Sequence, residues 1–184
     1  MPVIDQSVTW RKVEERLAVE TDPQLRRNLE LLLQHMQAEA TQDMERLMAT
    51  VSEHARYEFF GAAQAPLVGK PAVHGFYTAF AASGAHKLQL DVDRLIVDRD
   101  GILTEGVMRM AYPGSTLRAM GIDVDDPTAH YLYETRMAVL WPIDETGLFI
   151  GEDTYTGADG FAGIAERKLD PADIAEWVPA PAPA

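Results

Sequence analysis

Hydrophobic residues near the start of the chain recur every three or four positions, which is the spacing of an α-helix. This extra N-terminal helix falls within about residues 1–21 and is followed by the pair Asp22-Pro23. An aspartate N-cap before a proline is a strong signal for the start of a second helix. An apolar stripe then runs from Leu25 to Val51. Because it exceeds the usual helix length, a break near Thr41 or Asp43 is expected.

The segment SEHARYEFF, residues 52–60, follows this stripe and predicts the entry into a short strand. After a turn or short edge strand, Pro71 opens another helix. The pair Ser83-Gly84 ends that helix, because glycine suits the left-handed position after a C-terminus.

The hydrophobic period then changes from about 3.6 residues to two. Alternation begins at Leu88, and the turn at 98–101 predicts a hairpin with a second strand. The later strands predicted by the pattern are Ile102–Ala111, Tyr131–Trp141 and residues 148–157.

An irregular loop, residues 112–129, separates two of these strands. Such a length is unusual in a compact domain, so the loop is either a lid or binding loop, or a disordered surface excursion. Residues 171–184 end in a proline-alanine repeat, which predicts a disordered tail that begins with a helical turn at Pro171.

The order of elements predicts an α+β fold in one domain, residues 1–170. Helices would pack on one face of a curved, mostly antiparallel sheet.

Composition narrows the classes of partner. The chain has 184 residues, a formal net charge of −13 and no cysteine. Its acidity disfavours nucleic acid and anionic membrane surfaces, and no apolar run is long enough to span a bilayer. The start lacks a secretory pattern, so a cytoplasmic location is the default expectation. Metal and cofactor binding are not expected, because histidine pairs at helical spacing, thiolates and glycine-rich phosphate loops are missing from the sequence.

Three stretches carry a resemblance to a known family: ERLMATVSEHARYEFF, GKPAVHGFYTAF and DETGLFIGEDTYTG. Over about residues 35–157 the chain resembles the SnoaL-like branch of the nuclear-transport-factor-2-like superfamily. The resemblance implies a cone around an apolar cavity, an apolar small-molecule ligand and a homodimer. The superfamily includes polyketide cyclases, ketosteroid isomerases, epoxide hydrolases and dehydratases, alongside non-catalytic domains, so the fold alone does not choose a function.

Several positions where this superfamily carries catalytic groups hold other residues here. The resemblance aligns the isomerase base with Phe59, and the arginine and aspartate of the epoxide hydrolases with Gly106 and Met108. The second isomerase acid aligns with Val139. On the last strand, Glu152 stands where some cyclases have a histidine.

Strand alternation separates an inner face from a charged outer face. The charged residues predicted to lie opposite the cavity are Glu105, Arg109, Glu134 and Arg136. The residues predicted to contact a substrate are Phe59, Met108, Met110, Tyr131, Tyr133, Met137, Thr154 and His130.

Glu152 is the main candidate for acid–base chemistry, because an apolar cavity raises the pKa of a carboxyl group towards neutrality. Tyr57 or Tyr133 would donate a hydrogen bond, and His54 is a possible second proton carrier. A one-residue slip of the strand would turn Asp153 inward instead. Glu152 could also be solvated or paired with an arginine.

Three functions therefore stay open. The first is a cofactor-independent enzyme, of lyase or isomerase type, that cyclises, isomerises or dehydrates an apolar small molecule by proton transfer. The second is a non-catalytic domain that binds a small molecule or associates with a partner. The third, a structural dimerisation module, requires a filled cavity.

Overall fold

The computed structural model describes residues 1–61 and 64–179. The helices in these ranges are α1 (Val8–Val19), α2 (Pro23–Thr41), α3 (Met44–Met48), α4 (Lys70–Ser83) and α5 (Gly114–Ala119). The strands are β1 (Ile4–Asp5), β2 (Arg56–Tyr57), β3 (Phe59–Phe60), β4 (Leu67–Val68), β5 (Leu88–Asp98), β6 (Gly101–Pro113), β7 (His130–Pro142), β8 (Asp153–Thr156), β9 (Lys168–Leu169) and β10 (Ile174–Ala175).

The main sheet has the strand order β3-β8-β7-β6-β5, and β9 pairs with the start of β7. All of its pairs are antiparallel except β3 with β8. The sheet is curved and unclosed, and α1 and α2 pack against β5. The predicted α+β class is therefore confirmed.

The predicted helix starts and the predicted break follow from capping. The Asp22 carboxylate accepts hydrogen bonds from the backbone N–H groups of Gln24 and Leu25 at the start of α2. Gln42 ends α2 in the left-handed conformation, and Asp43 caps α3 by accepting from the Arg46 backbone N–H at 3.1 Å. The capping residues thus turn the chain at the point where the apolar stripe exceeded one helix.

The outer face of the sheet carries the predicted charges. The guanidinium groups of Arg94 and Arg109 lie 2.6 Å from Glu105 and 2.7 Å from Glu134, respectively. Arg136 also pairs with Glu105. Each exposed pair contributes at most about 1 kcal/mol to stability. The pairs mainly show that these side chains lie on the outer face of the sheet.

Gly106 lies where β5 has an irregular register between Val92 and Arg94. A Cβ atom at this position would lie 2.8 Å from the Asp91 carbonyl carbon and 2.9 Å from the Val92 Cα atom. No side chain fits in that space. The arginine that the resemblance aligns with Gly106 is therefore excluded by backbone packing.

The segment predicted as an irregular loop is folded, which corrects that prediction. Strand β6 continues to Pro113, and α5 follows directly. Leu117 and Val124 are buried against Ile164. Asp125 accepts a hydrogen bond from the Tyr131 hydroxyl group. Because Ile164 lies far along the chain, local periodicity did not reveal the contact that orders this segment.

The last part of the chain also differs from the prediction. The final strand of the main sheet is shorter than the predicted 148–157, because it begins at Asp153. Strand β10 pairs with β1, and the Trp177 ring packs edge-to-face on Trp10 with centroids 4.8 Å apart. The chain from 174 to 177 is thus packed rather than free, after the expected helical turn at Pro171. The rest of the predicted tail, 180–184, lies outside the described residues.

Within the described ranges, no helix is both long and apolar enough to cross a membrane.

Candidate functional site

A cavity of about 300 Å³ lies between the inner face of the sheet and the helices. Its wall is built from α1, α2, α4, β3 and the strands β5 to β8. Six of the eight predicted substrate contacts line it: Phe59, Met108, Met110, Tyr133, Met137 and Thr154. These six are half of the residues that the strands of the main sheet contribute to the wall.

The other two predicted contacts lie elsewhere. Tyr131 is fully buried below the 112–129 segment, where its hydroxyl accepts from the Asp126 backbone N–H at 3.0 Å. His130 pairs with Leu169 of β9 and borders a separate surface depression that includes Lys87. The start of β7 lies outside the cavity wall and pairs with β9, so correct alternation alone did not locate these residues.

Glu152 lies in the cavity wall, just before β8. Thr154 and Thr156 line the same wall, whereas Asp153 pairs with Leu140. Leu140 is exposed, so the register that turns Glu152 inward is the one the chain adopts. The Glu152 side chain keeps 20% of its accessible surface, and it faces the cavity.

The pKa of Glu152 is raised to about 7, mainly because burial penalises its charge. The Tyr77 hydroxyl opposes this shift by donating a hydrogen bond to Glu152 Oε2 at 2.7 Å. The nearby negative charge of Asp153 raises the pKa further. A carboxyl group with this pKa can both give and accept a proton near neutral pH.

Glu39 is a second carboxyl group in the cavity wall, which the sequence interpretation missed. It lies in the last turn of α2. Burial raises the pKa of Glu39 to about 8, and the negative charge of Glu152 adds to the shift. The signal in the sequence was an acidic residue at core spacing, four residues after His35 and seven after Leu32 on the apolar stripe.

The two glutamates titrate as a pair, because each charge disfavours the other. With both pKa values at or above neutrality, the pair retains a proton near pH 7. One cavity therefore holds a protonated and an ionisable carboxyl group near neutral pH, and groups with pKa values near the working pH are suited to acid–base chemistry.

His35 lies behind the cavity wall and is fully buried. Its Nδ1 atom is 2.7 Å from Thr50 Oγ1, and its Nε2 atom is 3.0 Å from the Tyr77 hydroxyl oxygen. Burial lowers the pKa of His35 to about 3, so the ring is neutral and carries one N–H. Glu152 Oε2 is 3.9 Å from Nε2, and Tyr77 bridges the gap.

A neutral His35 links its tautomer to the charge of Glu152. When Glu152 is ionised, the Tyr77 O–H donates to it, so His35 Nε2–H must donate to Tyr77. The Thr50 hydroxyl must then donate to Nδ1 and give up its hydrogen bond to the Leu47 carbonyl. When the Tyr77 O–H instead turns to an unprotonated Nε2, the Glu152 carboxyl must be neutral and donate to the Tyr77 oxygen. Only this second arrangement keeps the hydrogen bond that the Thr50 hydroxyl donates to the Leu47 carbonyl at 2.6 Å, because His35 Nδ1–H then donates to Thr50. The network therefore favours the protonated form of Glu152.

Tyr77 takes the donor role that the sequence interpretation assigned to Tyr57 or Tyr133. The Tyr57 hydroxyl is buried and has no hydrogen-bond partner in the described part of the chain, although the Tyr57 ring packs edge-to-face on Tyr77. Burial raises the pKa of Tyr57 well above its usual value. Tyr133 lines the cavity, and its ring packs on Tyr112 and Phe161.

His54, the predicted second proton carrier, is exposed at the surface and is not in the cavity wall. Its backbone N–H is 3.4 Å from the Ser52 side-chain oxygen. The cavity wall contains Glu39 as well as Glu152, but not His54.

Among residues 1–61 and 64–179, no group of three or more histidine, aspartate or glutamate side chains is arranged to hold a metal ion.

Solved structures with the same fold include two candidate SnoaL-like polyketide cyclases. The protein from Shewanella putrefaciens CN-32 has a TM-score of 0.65 at 8% identity, over 83% of this chain and 92% of its own. The protein from Shewanella denitrificans OS-217 has a TM-score of 0.62 at 11% identity, over 76% and 96%. A protein of ketosteroid isomerase-like fold from Catenulispora acidiphila DSM 44928, solved in complex with trimethylamine, has a TM-score of 0.56 at 15% identity, over 82% and 98%. At these identities the likeness establishes the fold alone.

A sequence search among curated proteins finds no match. The model of the SnoaL-like domain family matches residues 32–126, just over half of the chain. This match includes Glu39 and Tyr77 but ends before Glu152. The chain belongs to the SnoaL-like domain family, which the resemblance of its helix-to-strand motifs predicted.

Proposed function

We propose that this protein is a cofactor-independent enzyme that moves a proton on a largely apolar small molecule, as in a cyclisation, isomerisation or dehydration. The carrying observation is the pair of cavity glutamates, whose pKa values of about 7 and about 8 leave one proton between them near neutrality. Glu152 is the catalytic acid or base. Glu39 is the second carboxyl group, and Tyr77 orients Glu152.

The apolar wall supports this assignment in two ways. It provides contacts for a hydrophobic substrate, and it keeps water from weakening the electrostatic interactions of the reacting groups. Tyr133 lies in the same wall and is the candidate donor to a substrate oxygen, since Tyr57 is outside it. The superfamily's usual acids are replaced at Phe59 and Val139, so the chemistry would depend on a different set of carboxyl groups.

Solvent exchange tests this proposal without knowledge of the natural substrate. A panel of apolar ketones would be incubated with the protein in deuterium oxide, and loss of the proton signal next to the carbonyl would be followed by NMR. We expect exchange above the buffer rate for at least one ketone. Glu152→Gln should lower that rate at least about 100-fold, because general acid–base catalysis typically contributes 10²–10⁴-fold.

Glu145→Gln is the matched control, since Glu145 is exposed and lies in a turn outside the cavity wall. The Glu145→Gln variant should catalyse proton exchange on the ketone at the wild-type rate. An equal rate in wild-type protein and in Glu152→Gln would remove Glu152 from the reaction.

A second candidate function is binding without turnover. It is favoured by the apolar residues at Phe59, Met108 and Val139, three positions where the resemblance places catalytic groups. Tight retention of an apolar ligand without proton exchange on any ketone would select this alternative. The open cavity argues against the third hypothesis, a purely structural module with a filled interior.

We also propose a cytoplasmic homodimer that does not bind nucleic acid. The net charge of −13 supports the last point. Exposed apolar residues on the outer face of the sheet support association, since the rings of Phe60 and Tyr155 stack at 4.5 Å and both are more than 40% exposed. Sedimentation equilibrium should give twice the chain mass, and a monomer at micromolar concentration would contradict this proposal.

A further inference from the structure

The wall of the cavity has an unusual balance of charge. Its described residues include the carboxyl groups of Glu39 and Glu152 but no lysine, arginine or histidine. The nearest histidine, His35, lies behind Tyr77 and is neutral. A ligand in this cavity therefore meets negative charge without a compensating positive group.

The two glutamates differ in how they are held. Glu152 accepts a hydrogen bond from Tyr77, which is in turn held by His35. The side chain of Glu39 has neither a hydrogen bond nor an ion pair among the described residues, although it borders the cavity. Its carboxyl group is therefore free to pair with a group that enters the cavity.

Helix α2 adds to the negative potential at Glu39. This residue lies in the last turn of α2, where backbone carbonyl groups give the helix end a partial negative charge. The last turn has no basic side chain that would offset the charge. A carboxylate here would be stabilised by a cation, whereas an anionic ligand would be repelled.

Aromatic rings form part of the cavity wall. Phe76 and Phe80 stack with centroids 6.1 Å apart, and Phe59 packs on Phe76 at 5.6 Å. All three line the cavity, as does Trp141. Aromatic faces attract ammonium groups through their quadrupole, so the apolar wall can also accommodate a cationic head group.

We propose that the cavity selects an apolar amine in its cationic form, with Glu39 as the counter-ion of the ammonium group. The inference rests on the proposed function and divides its carboxyl groups into two roles. Glu39 sets specificity for charge, while Glu152, oriented by Tyr77, transfers the proton at the reacting carbon. The substrate class is thus a hydrophobic molecule with an ammonium group.

Binding has a consequence for protons. The ammonium group favours the ionised form of Glu39, so the proton that this carboxyl group carries passes to the buffer. Binding of a permanent cation should therefore release a fraction of a proton near neutral pH, and calorimetry in two buffers of different ionisation enthalpy measures that release. Equal binding enthalpies in the two buffers would mean that no proton is released, which would contradict Glu39 as the counter-ion.

Three probes of similar shape separate charge from hydrophobicity. Benzyltrimethylammonium is a permanent cation, neopentylbenzene is its uncharged carbon isostere, and phenylacetate is an anion. Their dissociation constants for the full chain can be measured by isothermal titration calorimetry. We expect the cation to bind at least about tenfold more tightly than the isostere, and phenylacetate to bind most weakly.

Glu39→Gln should reduce the preference for the cation to less than about threefold, with little change for the isostere. Glu30→Gln is the matched control, because Glu30 is exposed on the same helix, and it should keep the full preference. Equal binding of cation and isostere to the wild type, or an unchanged preference in Glu39→Gln, would overturn the inference. These binding measurements do not depend on turnover. If they show no charge selectivity, proton exchange on a ketone by the wild type would still support the proposed catalysis. Charge selectivity without exchange would instead contradict the proposed catalysis.

Discussion

Tyr77 and Tyr57 are neighbouring tyrosines whose hydroxyl groups have different contacts. Tyr77 donates to Glu152 and lies within hydrogen-bond distance of His35, whereas the Tyr57 hydroxyl is buried without a partner. Tyr77→Phe should therefore raise the pKa of Glu152 above about 7, because it removes the hydrogen bond that favours the carboxylate. Tyr57→Phe is the matched control and should leave that hydrogen bond in place.

The pKa of Glu152 can be followed by NMR of ¹³C-labelled glutamate side chains in both variants. A larger rise in the pKa of Glu152 in Tyr57→Phe than in Tyr77→Phe would show that the hydrogen bond has been assigned to the wrong tyrosine.

Strand alternation predicted the inward direction of Glu152 from sequence, but it could not identify Tyr77. That residue comes from a helix, and the packing of α4 on α3 and β4 brings its hydroxyl group to Glu152.

Gly106 determines how strands β5 and β6 approach each other. A methyl group there would lie within 3 Å of the β5 backbone, so Gly106→Ala should destabilise the fold by about 2–4 kcal/mol. Gly75 is the matched control, since it lies exposed in α4 and no heavy atom lies within 4 Å of its added Cβ. Gly75→Ala should stabilise the fold by about 0.5–1 kcal/mol.

Urea denaturation measures both changes. A Gly106→Ala variant as stable as the wild type would mean that the strands are farther apart than described.

Most elements were predictable because their signals are local: the caps at Asp22 and Asp43, the period change at Leu88 and the turn at 98–101. The 112–129 segment and the packing of β10 were missed because distant residues, Ile164 and β1, order them.

At the scale of the whole molecule, the cavity glutamates make stability depend on pH. Their pKa values are raised from 4.5 to about 7 and about 8. The folded state therefore binds more protons than the unfolded state in this window, and stability contributed by these groups falls as pH rises. That contribution is fully lost only above about pH 9, because Glu39 is still half protonated at its pKa of about 8.

Of the other titratable groups around the pair, His35, Tyr57 and Tyr77 do not give this trend near neutral pH, whereas Asp153 does. His35 has a lowered pKa, so its effect is confined to acidic pH and has the opposite sign. Tyr57 and Tyr77 titrate only at alkaline pH, because burial raises their pKa values well above the usual one. Asp153 has a raised pKa and contributes in the same direction as the pair.

The variant with both Glu39→Gln and Glu152→Gln should lose less stability than the wild type between about pH 5 and about pH 9, by at least about 1 kcal/mol. Denaturation at both pH values measures the difference. The same dependence in wild type and variant would mean that other groups cause it.

The most direct test of the central claim is a titration of the side-chain carboxyl carbons in wild-type protein by ¹³C NMR, with assignment from Glu39→Gln and Glu152→Gln. The cavity pair accounts for the proposed chemistry only if it holds a proton near neutral pH. We predict that two glutamate carboxyl groups titrate above about pH 6, that they belong to Glu39 and Glu152, and that removal of Glu152 lowers the pKa of Glu39. Ordinary titration of both groups, near the usual pKa of about 4.3, would contradict the account.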